Sequence, residues 1–175
     1  MKINDANMYN FHSKFIHWLM SLLIIGMLFI GFFLNDFPSE QKAFIYMIHK
    51  STGLLLMLLV FIRLVMRFKS KYPTLPESTP KTIVYIAKLN VFGLYLIMIL
   101  MPLSGILMST FSGKILPFFG LFSIPSIMQS QVLAEISYNF HGIGGYIFII
   151  LILAHVIGGL FHHFILKDNV LKRML

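Results

Sequence analysis

Residues 140–167 read FHGIGGYIFIILILAHVIGGLFHHFILK, and the reading of this stretch decides the fold. It is long and apolar enough to cross a bilayer, whose hydrocarbon core of about 30 Å takes roughly 20 helical residues. Yet it holds four of the chain's seven histidines. An ionisable side chain at such depth is costly and marks a binding function. His141 and His155 are 14 residues apart. At ~100° and ~1.5 Å per residue they return to nearly the same helix face, about 21 Å apart along the axis. One histidine near each side of a membrane, on a single face, suits two stacked cofactors better than one metal ion.

The rest of the chain has the same character. Of its 175 residues 58% are hydrophobic and 11% charged, which places it with membrane proteins and leaves no soluble appendage, so residues 1–175 form a single transmembrane domain. The formal charge of +8 does not signal nucleic acid, because the lysines and arginines sit in short connections between apolar runs, where they set orientation. Without cysteine there is no disulfide, no iron–sulfur cluster, no thiolate haem ligand and no covalent haem attachment. The first apolar run, Phe15 to Phe33, has no signal-peptide cleavage site and is followed by further spans, so it stays as a helix.

Four crossings are expected, at about 15–34, 41–68, 82–108 and 140–167, giving an all-α integral membrane four-helix bundle. Asn35, Asp36 and Pro38 end the first, and KSKYPTLPESTPK is a linker between the second and third. Pro102 predicts a bend late in the third. The connection from Ser109 to Asn139, with its apolar ILPFFGLFSIP, is expected to lie along the membrane surface. Lys69, Lys71 and Lys81, flanked by Arg63, Arg67 and Lys88, crowd one side, against Lys42 and Lys114 on the other. Both termini are therefore expected in the cytoplasm.

This topology pairs the histidines. His49 and His141 both lie early in helices that start outside, while His17, just inside the first helix, comes level with His155. Two bis-histidine haem b sites are the economical reading, an outer one on His49 and His141 and an inner one on His17 and His155. Four residues after these histidines stand Gly53, Gly145, Ser21 and Gly159, small enough to clear a flat macrocycle, though glycine in membrane helices also serves plain packing. Ile16, Leu166 and Lys167 hold the same position after His12, His162 and His163. Of these, His12 and His163 read as solvated. Arg63, 14 residues after His49, is a candidate partner for haem propionates or a simple flank charge. His162 is a candidate quinone contact or proton relay, or an interfacial histidine without a role.

The segments IHWL around His17, MIHKSTG around His49, IRLVMR at Arg63 to Arg67, FHGIGGY around His141 and AHVIGGLFHHFILKDNVLKRML from Ala154 onward resemble the bacterial cytochrome b561 family, in particular its small di-haem superoxide oxidases. The resemblance spans the whole chain and implies the same four haem ligands. It further implies a multi-pass protein of the bacterial inner membrane that transfers electrons from superoxide outside to ubiquinone near His162. A tryptophan of that quinone site falls here at Leu166, and the outer connections offer Lys42, Lys50 and Lys114 against Asp36, Glu40 and Glu135, with no net positive funnel for an anion. The alternative is a cytochrome b subunit linking the quinone pool to a partner dehydrogenase or hydrogenase. A histidine-lined metal transporter would need acidic residues along its path, and the crossings hold none beyond their flanks.

Overall fold

The computed structural model describes residues 8–69, 73–126 and 128–175. Four helices follow in order: α1 Phe11–Phe32, α2 Ser39–Lys69, α3 Lys81–Phe111 and α4 Gln131–Phe164. Each is long and apolar enough to cross a membrane. Two short antiparallel strands, β1 Leu116–Phe118 and β2 Phe122–Ile124, stand between α3 and α4. The chain is thus an all-α membrane four-helix bundle with a small hairpin on one end. Lys71 of the basic linker lies outside the described residues.

The helices exceed the apolar runs because their caps lie outside them. Asn10 accepts the Ser13 N–H at 2.8 Å and starts α1 at Phe11, four residues ahead of the hydrophobic stretch. The Ser130 side chain accepts the Leu133 N–H at 3.4 Å and starts α4 at Gln131, so much of the expected surface connection is helix. α4 also stops early, at Phe164, because Lys167 turns the chain with a positive φ of 53°. Pro102 lies inside a continuous α3, where its ring leaves the Met98 carbonyl without the usual helical donor.

Consecutive helices pack in an up–down–up–down order, and α4 lies far more closely on α3 than on α1 or α2. At the α3–α4 seam, a Cβ on Gly144 would stand 2.6 Å from Met101 Sδ, and Asn90 Nδ2 donates to the Leu151 carbonyl at 3.0 Å. The buried core takes side chains from every helix: Met20 and Ile24, Leu56 and Val60, Ile97, and Phe148. Phe148 falls midway between His141 and His155, so this apolar layer separates the two histidine levels. Phenylalanine, leucine and isoleucine cover much of the outside, as expected where lipid is the solvent.

One residue of α2 bonds the hairpin at two points. Ser51 of α2 is fully buried; its hydroxyl donates to the Pro117 carbonyl at 3.1 Å and accepts the Phe119 N–H at 2.8 Å. Phe119 and Gly120 carry positive φ values of 47° and 75°, the pattern of a type I′ turn. At the opposite end, the C-terminal segment folds back over the bundle. Trp18 Nε1 donates to the Met174 carbonyl at 2.9 Å, the Tyr9 N–H to the Arg173 carbonyl at 3.3 Å, and Arg173 Nη1 to the Thr74 carbonyl at 2.6 Å.

Candidate functional site

Two pairs of histidines face each other from different helices. His17 of α1 and His155 of α4 have ring centroids 6.3 Å apart, with planes at 65°. His49 of α2 and His141 of α4 stand 6.2 Å apart, with planes at 76°. Two imidazoles bound to opposite sides of one metal, with bonds of about 2 Å and each ring nitrogen about 1.1 Å from its centroid, have centroids roughly 6.2 Å apart. Both pairs have that spacing. Among the described residues no three His, Cys, Asp or Glu side chains converge, so each level offers two imidazoles, a set that could hold a haem iron.

The pair at the hairpin end is closely packed. His141 Nδ1 lies 2.9 Å from Ser104 Oγ and 3.1 Å from the Met101 carbonyl, while the Ser104 hydroxyl itself donates to Met101 O at 2.8 Å. The proton therefore sits on Nδ1, and Nε2 keeps its lone pair. His49 Nδ1 is buried and lacks a hydrogen-bond partner. Glycines on neighbouring helices make room for both rings. A Cβ on Gly105 of α3 would stand 3.3 Å from His141 Cε1, and one on Gly31 of α1 would stand 3.5 Å from His49 Cε1.

The other pair is more open and carries a charge. His17 is half-buried and His155 exposed. Exposed imidazole inside a membrane-spanning helix is unfavourable unless a bound group covers it. Arg63 lies at this level, and its Nη2 is 3.1 Å from His17 Nδ1. Guanidinium is donor-only, so this nitrogen accepts and the His17 proton sits on Nε2, the reverse of the arrangement at His141. The Ser21 hydroxyl donates to the His17 carbonyl at 2.8 Å.

The glycines singled out four residues after the histidines behave differently from Gly31 and Gly105. A Cβ on Gly53, Gly145 or Gly159 would meet Met27 Cε at 3.8 Å, Phe32 Cζ at 3.7 Å and Leu171 Cδ1 at 3.6 Å, the tips of side chains from other elements. Gly31 and Gly105 carry no signal in the sequence, because they act across helices. Of the remaining histidines, His12 is exposed and His163 half-buried. His162 is only 4% exposed, and its Nδ1 lies 2.6 Å from Asp168 Oδ2. The second Asp168 oxygen accepts the Val170 N–H at 3.0 Å.

The profile of the prokaryotic cytochrome b561 family matches residues 8–175. The chain belongs to this family. Cytochrome b561 homolog 2 of Escherichia coli (strain K12) is 32% identical over 98% of this chain and 93% of its own length. Cytochrome b561 homolog 1 of the same organism is 29% identical, over 92% and 93%. A probable superoxide oxidase of Yersinia pestis, CybB, is 31% identical over 91% of each chain. As a cytochrome b561, this is a multi-pass bacterial membrane protein that binds haem b and transfers electrons. The pair at the hairpin end, with a protonated Nδ1 on His141, an orphaned Nδ1 on His49 and a glycine against each ring, fits such a group.

Proposed function

We propose that this cytochrome b561 holds two haems b, one between His17 and His155 and one between His49 and His141, and passes electrons from superoxide to ubiquinone across the bacterial inner membrane. The observation that carries the reading is the pair of ring separations, 6.3 Å and 6.2 Å, at two levels of one bundle. A haem held by each pair would supply a one-electron relay, and with a histidine on either side of its iron the donor and acceptor would not need to bind the metal.

The chain's own residues divide the remaining tasks. Met101 and Ser104 hold the proton on His141 Nδ1 and fix that ring. Were His17 to hold haem through Nε2, its proton would move to Nδ1, and Arg63, now bonded to that nitrogen, would be free to meet propionates at the same level. The termini end faces the cytoplasm, where the basic residues lie. There His162, whose Nδ1 lies 2.6 Å from Asp168 Oδ2, is the residue we assign to ubiquinone. Two superoxide anions yield two O2 and two electrons, and ubiquinone takes these with two protons to give ubiquinol. The Yersinia pestis relative's name supports the choice of donor.

The test is a pyridine haemochrome assay on purified protein, followed by exposure to a superoxide flux. Two haems per chain and a haem reduction that superoxide dismutase abolishes are expected. Haem reduction indifferent to the dismutase would refute the donor, and a stoichiometric redox subunit in the preparation would point to the partner-linked cytochrome instead.

A further inference from the structure

At the hairpin end, on a different stripe of α2 from His49, a cavity of about 430 Å³ opens between the helix and the connection from α3. Ala43, Tyr46, Met47 and Lys50 recur at helical spacing and form one wall. Lys114 and Pro117 are on the other. The second wall is fixed in place, because Ser51 bonds both Pro117 and Phe119.

Lys50 and Lys114 both line this cavity, and among the described residues neither has a carboxylate within ion-pairing distance. Lys50 is half-buried and makes one long hydrogen bond, from Nζ to the Ile115 carbonyl at 3.4 Å, which leaves most of its donor capacity unused. Like charges at the edge of a low-dielectric region repel each other. Lysines at a membrane boundary relieve such repulsion by extending apart into water. Here the helix face and the pinned connection bring both to one cavity, and an anion with several oxygens would satisfy both. The volume is far larger than a diatomic anion needs, and Ala43, Met47 and Pro117 give it an apolar side suited to the carbon portion of an ester.

We propose that Lys50 and Lys114 form a binding site for a phosphate ester, occupied in the membrane by the headgroup of an anionic phospholipid. The site lies one residue from His49, so its occupant bears on the hairpin that closes this end of the bundle.

Native mass spectrometry of the haem-loaded protein, titrated with phosphatidylglycerol or phosphatidylcholine, tests it. The wild type should retain one phosphatidylglycerol about tenfold or more tightly than the K50Q/K114Q double variant, since two charge-assisted contacts are lost. The K50R/K114R variant should keep most of the affinity, which separates lost charge from a disturbed hairpin. Displacement of the lipid by millimolar glycerol phosphate would assign the site to a soluble ester, and no displacement to the lipid. Equal retention of phosphatidylglycerol by wild type and K50Q/K114Q would overturn the proposal, as would equal retention of phosphatidylcholine by the wild type. So would a K50Q/K114Q variant whose only defect is slower reduction by superoxide.

Discussion

Asp168 is the residue whose removal has the most sharply defined consequence. One of its oxygens lies 2.6 Å from His162 Nδ1, and the other accepts the Val170 N–H at 3.0 Å. His162 is 4% exposed, so little water is at hand to replace the carboxylate. Asp168→Asn keeps the shape and an acceptor for Val170 but removes the charge. The loss should be about 1.5–2 kcal/mol, at the lower end for hydrogen bonds to charged groups. Asp168→Ala removes both bonds and strands a buried imidazole, at a cost of about 3 kcal/mol or more. With about 1.4 kcal/mol per factor of ten, local opening of the C-terminal segment rises roughly 10- to 30-fold in the first variant and more than about 100-fold in the second. Hydrogen–deuterium exchange of the peptide covering 165–175, in detergent, reads this directly. The reasoning is wrong if both variants exchange at the wild-type rate, or if Asp168→Asn opens the segment more than Asp168→Ala.

Three further outcomes are expected. Alanine at His17 or at His155 should leave about one haem per chain with the same remaining spectrum, and alanine at His49 or His141 should leave the other; four distinct spectra would contradict the pairing. Gly144→Ala should lower the thermal midpoint of the detergent-solubilised protein by an amount equivalent to about 1–3 kcal/mol, because its Cβ would stand 2.6 Å from Met101 Sδ. Gly26→Ala, with nothing within 4 Å of the added carbon, should be neutral or stabilising, and a similar loss in both variants would contradict the packing account. Ser51→Ala leaves the Phe119 N–H and the Pro117 carbonyl without their partner, a cost of about 1–3 kcal/mol that should appear as faster exchange across 116–124.

The four spans were legible because lipid-exposed helices carry long apolar runs that no connection in this chain imitates. Their ends were not, since hydropathy measures the thickness of hydrocarbon, whereas Asn10 and Ser130 set helix starts in polar sequence beyond it. The hairpin was hidden for a different reason. ILPFFGLFSIP has no period-2 contrast, and its turn uses a phenylalanine at positive φ, which sequence rules assign to glycine or asparagine. The proximity of His17 to His155 and of His49 to His141 followed from the 14-residue spacing on α4 and the alternation of helix direction. Contacts made across helices left no such trace. Gly31 and Gly105 against the rings, Ser104 on His141 and Arg63 on His17 depend on how helices rotate about their axes, which a single sequence does not fix. Asp168 reaches His162 only because the chain reverses at Lys167.

Both histidine pairs take one member from α4, and the other comes once from α1 and once from α2. During synthesis, α1 and α2 enter the membrane carrying one imidazole for each pair and no partner for either. The third helix adds none, and only α4 completes both at once. An unfinished chain therefore lacks the second imidazole at either level. On the proposed ligation, loading at both levels waits for insertion of a single late helix.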